Sequence, residues 1–314
     1  MKRKIIVIGS VVILLIVALF GASNFMLEYS LRPGADVPFS RESAWKGMFA
    51  DYPDMESWRD SLMNIGALHD TTIVREDGVQ LHAYYVSANQ PTTKTAVVVH
   101  GYTDCAIRMF HIGRMYSRDL GYNILLPDLY YHGDSQGKAI QMGWKDRLDV
   151  MRWMKIAAEI FNTKSMVVHG ISMGAATTMM VSGEEQPDYV KAFVDDCGYT
   201  SVWDEFKGEL KNQFGLPSFP LLYTASWLCK VRFGWGFQEA SALNQVKKCK
   251  HPMLFIHGDS DDYVPTAMVY PLYEAATCPK ELWLTEGVAH ALSYRTYPKE
   301  YTEKVRNFLK PYMK

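Results

Sequence analysis

The segment Gly170-Ile171-Ser172-Met173-Gly174 carries the strongest chemical signal in the chain. It lies where a short β-branched run, Ser165 to His169, meets a helix-forming run, Met173 to Ser182. A serine on such a strand-to-helix turn can be held in a strained backbone conformation with its hydroxyl clear of the sheet. Side chains at positions 170 and 174 would collide with neighbouring backbone, and Ala175 and Ala176 let the helix pack close. The chemistry this arrangement serves is attack by Ser172 on an acyl carbonyl.

A serine hydroxyl is a poor nucleophile unless a base takes its proton. The chain offers nine histidines, of which His290 follows the last strand in the short loop GVAHALSY. That placement makes His290 the expected base. His100, His169 and His257 each end a strand as His-Gly and are expected to make structural contacts near the site. An orienting carboxylate should come from His257-Gly258-Asp259-Ser260-Asp261-Asp262-Tyr263-Val264-Pro265, giving the chain order Ser, Asp, His. Asp261 is favoured, with Asp259 and Asp262 open as alternatives or as turn formers and caps. A tetrahedral intermediate also needs two donors for its oxyanion. The backbone N–H of Met173 and that of Tyr102, in His100-Gly101-Tyr102-Thr103-Asp104, are the candidates. Gly101 is read as letting the backbone turn close to the site.

These residues need elements to hold them. Strands are predicted at Val79 to Val86, Thr95 to His100, Tyr122 to Pro127, Ser165 to His169, Lys191 to Asp195, Pro252 to His257 and Glu281 to Thr285. Helices are predicted at Met55 to Met63, capped by Asp54, and at Lys145 to Phe161, Met173 to Ser182 and Glu300 to Tyr312. The alternation argues for an α/β fold with a mostly parallel sheet covered on both faces. Residues 200–248 break the rhythm and hold nine of the chain's aromatics, from Trp203 to Phe237. They read as an inserted lid; most of these aromatics are expected to form its own core and a few to face a cavity.

The chain has 314 residues, 48% of them hydrophobic, which can support a real core and excludes wholesale disorder. Its net charge of −1 excludes nucleic-acid binding through bulk positive charge. Lys2, Arg3 and Lys4 stand together at one end, and without them the balance is 30 cations against 34 anions, a charge of −4. Ile5 to Ala22 is apolar except for Ser10. As a helix it would extend roughly 27 Å, close to a bilayer core. Residues 1–22 therefore read as a transmembrane signal anchor, in preference to a cleaved signal peptide, because Leu19 and Phe20 spoil a cleavage site. The preceding cations orient it with the N-terminus inside and the body outside the cytoplasm; cleavage would instead give a secreted or periplasmic protein. Residues 23–70 read as a juxtamembrane helical segment and 71–314 as the catalytic domain. Five cysteines form no CxxC. Cys229 and Cys249 are the nearest candidates for a bridge, with buried free thiols the favoured outcome.

The pieces HGYTD, PDLYYHGDS, HGISMGA, IHGDSDDYVP and GVAH resemble those of the α/β-hydrolase superfamily, over roughly residues 70–313. Within it the chain is similar to bacterial membrane-anchored hydrolases of the serine-aminopeptidase and dienelactone-hydrolase-like kind. The resemblance implies an α/β-hydrolase fold with a helical lid at 200–248, Ser172, Asp261 and His290 as a triad, and Tyr102 and Met173 at the oxyanion hole. It implies no metal and no organic cofactor. The chain lacks an HGGG segment, so the lipase-like branch bearing that motif is not indicated. The expected activity is hydrolysis of a carboxylic ester through an acyl-enzyme, on a small-molecule or peptide acyl substrate. A serine aminopeptidase would need a carboxylate for the substrate's amine, with Asp204, Glu205 and Glu209 as candidates. An acyltransferase and a catalytically silent envelope binding module complete the alternatives.

Overall fold

The structure is a computed structural model that describes residues 2–34 and 39–314. Eight strands form one sheet: β1 (Leu68–Val74), β2 (Gln80–Val86), β3 (Lys94–Val99), β4 (Asn123–Pro127), β5 (Ser165–Ile171), β6 (Val190–Asp196), β7 (Met253–Gly258) and β8 (Lys280–Thr285). Their order is β1-β2-β4-β3-β5-β6-β7-β8. β2 pairs antiparallel with β1 and with β4, and the remaining pairs are parallel. The helices are α1 (Lys2–Leu31), α2 (Arg41–Asp51), α3 (Met55–Asn64), α4 (Phe110–Arg114), α5 (Asp146–Phe161), α6 (Met173–Ser182), α7 (Val202–Phe214), α8 (Leu221–Phe233), α9 (Ala242–Val246), α10 (Val269–Ala275), α11 (Ser293–Thr296) and α12 (Pro298–Leu309). This is the α/β-hydrolase fold expected from the sequence.

The central strands are buried on both faces, and the period of two divides their side chains between two cores. Val97 and Val99 of β3, Met166 and Val168 of β5, and Met253 and Phe255 of β7 face a core shared with α5 and α6. Ala96 and Val98, Val167, and Leu254 and Ile256 face the opposite core, shared with α4 and α12. Continuous apolar runs are therefore what such strands require, and those runs were legible. β1 was not expected. It is an edge strand, half exposed, and His69, Asp70 and Thr71 hide its alternation. It begins before Asp70, within the stretch read as juxtamembrane. Asp54 does precede α3, yet its side chain makes no cap there; its carboxylate takes the Arg114 guanidinium instead.

One further difference bears on the site. The apolar N-terminal helix does not stop at Ala22 but runs unbroken to Leu31. Its large apolar side chains from Ile5 to Val17 are exposed, whereas Ser23, Leu27 and Leu31 are buried, one stripe at a spacing of four residues. Met1 and residues 35–38, parts of the predicted anchor and juxtamembrane segments, lie outside the described residues. Helices α7, α8 and α9 fill the insertion between β6 and β7. Of its nine aromatics, Trp235 and Phe237 are buried and Trp203, Phe206 and Phe233 pack half-buried against the same core, as expected for most of them, while Phe214, Phe219, Tyr223 and Trp227 are exposed. All five cysteines are free and buried, so Cys229 and Cys249 are not bridged.

Candidate active site

Ser172 sits between β5 and α6 with φ 58° and ψ −121°, a backbone conformation that a residue with a side chain adopts only under strain. Glycine flanks it of necessity. A Cβ on Gly170 would land on the backbone of Gly174 and Ala175, and one on Gly174 on the carbonyls of Val99 and His100. Gly101 is different: a Cβ there would meet Ser172 Cβ at 3.4 Å, ordinary contact, so close approach does not require glycine at that position. The Ser172 N–H donates to the Asp196 carbonyl at 2.8 Å, tying the turn to β6.

His290, in the loop after β8, and Asp261, in the loop after β7, both reach this turn. Ser172 Oγ lies 2.8 Å from His290 Nε2, and His290 Nδ1 lies 2.7 Å from Asp261 Oδ2. A carboxylate accepts only, so Nδ1 carries the ring proton and Nε2 is left to accept from the serine hydroxyl. Asp261 Oδ1 accepts from the N–H groups of Tyr263 and Val264 at 3.1 and 3.0 Å. The carboxylate is thus fixed at both oxygens. Burial alone would raise its pKa, but the imidazoles of His257 and His290 hold it below the ordinary carboxylate value. Of the alternatives, Asp259 accepts from Gly287 N–H at 2.7 Å and Asp262 is exposed.

Met173 is the first residue of α6, where the backbone N–H has no intrahelical acceptor and the helix dipole favours negative charge. Tyr102 follows Gly101, whose backbone adjoins Ser172, and its hydroxyl donates to the Ser30 carbonyl of α1 at 2.8 Å. Thr103 and Ala291, which line a cavity with Ser172, and Cys197, whose thiol lies beside Asp261 and His290, also have positive φ.

The three His-Gly histidines brace the loops. Leu129 N–H donates to His100 Nε2, which leaves His100 Nδ1–H for the Gly101 carbonyl; deep burial drives its pKa down and keeps the ring neutral. His169 accepts from Tyr116 and donates to Tyr301, which donates on to Asp196, and burial lowers its pKa to about 3. His257 Nε2 lies 2.9 Å from the Val264 carbonyl and 3.3 Å from Asp261 Oδ2. This second imidazole on Asp261 has no spacing signature in the sequence beyond its His-Gly ending. Among the described residues two donor clusters have the reach for a metal, Cys197–Asp261–His290 and His82–Asp128–Asp134. In the first, His290 already bridges Asp261 and Ser172; in the second, His82 is bonded to Asp128 and Asp134 to Arg41.

Ser172 stands where two cavities meet. One, of about 580 Å³, is mainly apolar and is walled by α1 (Met26, Leu27), α7 (Phe206, Leu210) and α8 (Leu222, Ala225). It also carries Glu28 and Arg32. The other, of about 500 Å³, is likewise lined mainly by apolar surface, from Tyr102, Met109, Ile171 and Leu292, and carries Asp51, Asp104, Arg108 and Arg295. Glu205 and Glu209 of α7 line the first cavity, whereas Asp204 is bonded to Thr200 and Ser201. Glu205 is buried with Oε2 unpartnered, and burial, with Glu209 nearby, raises its pKa to about 8. The contribution of α1 to this wall was missed in the sequence. The signal was there, in Ser23, Leu27 and Leu31 repeating every four residues beyond the apolar run.

Residues 130–314, more than half of the chain, match the prolyl oligopeptidase family. An uncharacterized Bacillus subtilis protein, YqkD, is 27% identical over 310 residues, spanning 98% of this chain and 97% of its own. Among solved structures, the Pyrococcus furiosus esterase Pf2001 is similar at a TM-score of 0.65 and 26% identity, covering 81% of this chain and 96% of that one. The Pyrococcus horikoshii acylaminoacyl peptidase shares the fold at a TM-score of 0.56 and 16% identity, over 78% of this chain and 41% of that one.

Proposed function

The chain belongs to the prolyl oligopeptidase family and is a serine hydrolase of the α/β-hydrolase fold, and we propose that it cleaves carboxylic esters through Ser172, His290 and Asp261. The observation that carries this is the unbroken hydrogen-bonded chain from Ser172 Oγ through His290 to Asp261, at 2.8 and 2.7 Å. His290 Nε2 takes the hydroxyl proton as Oγ bonds to the acyl carbon. The carbonyl oxygen becomes an oxyanion facing the N–H groups of Met173 and Tyr102. Collapse breaks the ester C–O bond, and His290 gives its proton to the departing alkoxide. Water then attacks the acyl-enzyme by the same steps, releasing the acid and restoring Ser172. Asp261 holds the tautomer and stabilises the imidazolium without itself taking the proton. The two cavities on either side of Ser172 give room for the acyl part and the alcohol part of an ester. Helix α1 is proposed to be a retained anchor, N-terminus inside, because it runs without a break into packing on the lid.

A second reading, an aminopeptidase, draws on Glu205, whose unpartnered carboxyl in the apolar cavity could meet a substrate ammonium. The two separate on substrates. Purified protein is expected to release p-nitrophenol from p-nitrophenyl butyrate with an initial burst, and Ser172→Ala to abolish it. Preference for aminoacyl p-nitroanilides over the ester would move the assignment to the peptidase.

A further inference from the structure

Resting on the hydrolase reading, we propose that the substrate is a single-chain amphiphile, a long acyl chain esterified to a polar alcohol, taken from the bilayer in which α1 sits. Three observations converge. The helix whose apolar side chains stand exposed from Ile5 to Val17 is the same rigid helix whose last two turns wall the apolar cavity through Met26 and Leu27. The cavity is therefore held beside the end of the membrane segment.

Helix α8 supplies the second observation, because it is apolar on both sides. Its inner side chains, Leu222 and Ala225, line the cavity. Its outer ones, Tyr223, Trp227 and Val231, repeat every four residues and are 50%, 56% and 63% exposed. Trp227 meets Phe20 of α1 edge to face at 5.9 Å, which makes the outer stripe continuous with the membrane helix. Phe219, 72% exposed, extends it. Tyrosine and tryptophan at this level of a membrane helix are the residues that sit at headgroup depth. Ser23 Oγ–H donates to the Leu221 carbonyl, and Arg232 pairs with Glu28, so α8 is pinned to α1 in this attitude.

The third observation is the division of the site itself. Ser172 lies at the junction of two chambers, one against α1 and α8 with Met26, Leu27, Leu210, Leu222 and Ala225 in its wall, the other beside α2 with Asp104, Arg108 and Arg295 among its lining. A fatty-acid ester divides in the same way at its carbonyl, acyl chain to one side and alcohol to the other. With its carbonyl at Ser172, the tail fills the first chamber and the headgroup meets Arg108, Arg295 and Asp104 in the second. The polar groups of the tail chamber are largely partnered or neutral: Glu28 pairs with Arg32, Glu209 accepts from Gln213, and the burial of Glu205 favours its neutral acid, which an apolar chain tolerates.

The test uses the full chain in phosphatidylcholine vesicles, with p-nitrophenyl esters from acetate to palmitate and with 1-monooleoylglycerol in the same vesicles. Specificity (kcat/KM) is expected to climb at least about 100-fold from acetate to the optimum, since each buried methylene can add up to about fourfold. Monooleoylglycerol is expected to be hydrolysed. Ala225→Phe should move the optimum to shorter chains, and the gentler Ala225→Val should move it less if the larger residue disturbs folding. Trp227→Glu with Tyr223→Glu should lower the ratio of monooleoylglycerol to acetate turnover by about tenfold or more. Ser172-dependent acetate hydrolysis with no rise along the series and no attack on monooleoylglycerol would overturn the lipid assignment and leave the hydrolase standing. Absence of any Ser172-dependent ester turnover would instead remove the hydrolase reading on which it rests.

Discussion

Replacing Asp261 by asparagine changes one oxygen to an NH₂ group, and the surrounding hydrogen bonds dictate which. Oδ1 accepts from two backbone N–H groups, those of Tyr263 and Val264, which cannot reorient. The amide oxygen must stay on that side, so the NH₂ group turns toward His290 and His257. A donor then faces His290 Nδ1, which accepts only in the other tautomer, with the proton on Nε2. That proton points at Ser172 Oγ, and the base is lost while the geometry is kept. The expected fall in kcat is about 10⁴-fold, or about 5.5 kcal/mol of transition-state stabilisation. Stability should change far less, by about 1–3 kcal/mol for a charge-assisted bond made neutral. The assay is burst kinetics on p-nitrophenyl butyrate beside urea unfolding. Asp262→Asn should leave both unchanged, because that side chain is exposed. Asp261→Asn activity within about tenfold of wild type, or a larger loss from Asp262→Asn, would refute the tautomer argument.

Other outcomes follow from the same structure. Glu205 titrates at about 8 when folded against an ordinary 4.5, so the unfolded chain loses its proton first. Its contribution is fully present below pH 4.5 and lost as pH rises through about 8. Glu205→Gln should therefore raise Tm progressively between those values and not below them, with a gain on the order of 4 kcal/mol at pH 8. Gly174→Ala drives a methyl group into the carbonyls of Val99 and His100 and should lower stability by about 2 kcal/mol in urea while impairing the burst. Leu27→Ala removes a fully buried side chain from the join of α1 and the core and should cost about 3 kcal/mol, read as a fall in Tm.

The legible parts of this molecule are those where one residue type answers one physical demand. Gly170 and Gly174 are required by backbone contacts, and the doubly buried strands by the two cores, so both could be read from the chain. Ser172 was placed by its glycine-flanked strand-to-helix turn and His290 by the loop after the last strand, and the two are in contact in the structure. Asp261 was one of three acids in four residues; only the fold shows that Asp259 is turned to Gly287 while Asp262 faces solvent. β1 escaped because an edge strand need not alternate cleanly. The N-terminal helix escaped in a different way. Its apolar run overshadowed the four-residue stripe that follows, so a part that walls the cavity was read only as a juxtamembrane segment. Which four of the nine lid aromatics would stand exposed was not legible for a related reason: composition reports that a surface is apolar, but not what it faces.

The central claim is that Ser172 is an activated nucleophile, and labelling with a fluorophosphonate tests it most directly. Intact-mass and peptide analysis of the full chain should show one covalent adduct, on Ser172, formed slowly in Asp261→Asn and absent in Ser172→Ala. A folded protein that remains unlabelled, or one labelled at another residue with Ser172 free, would contradict the account.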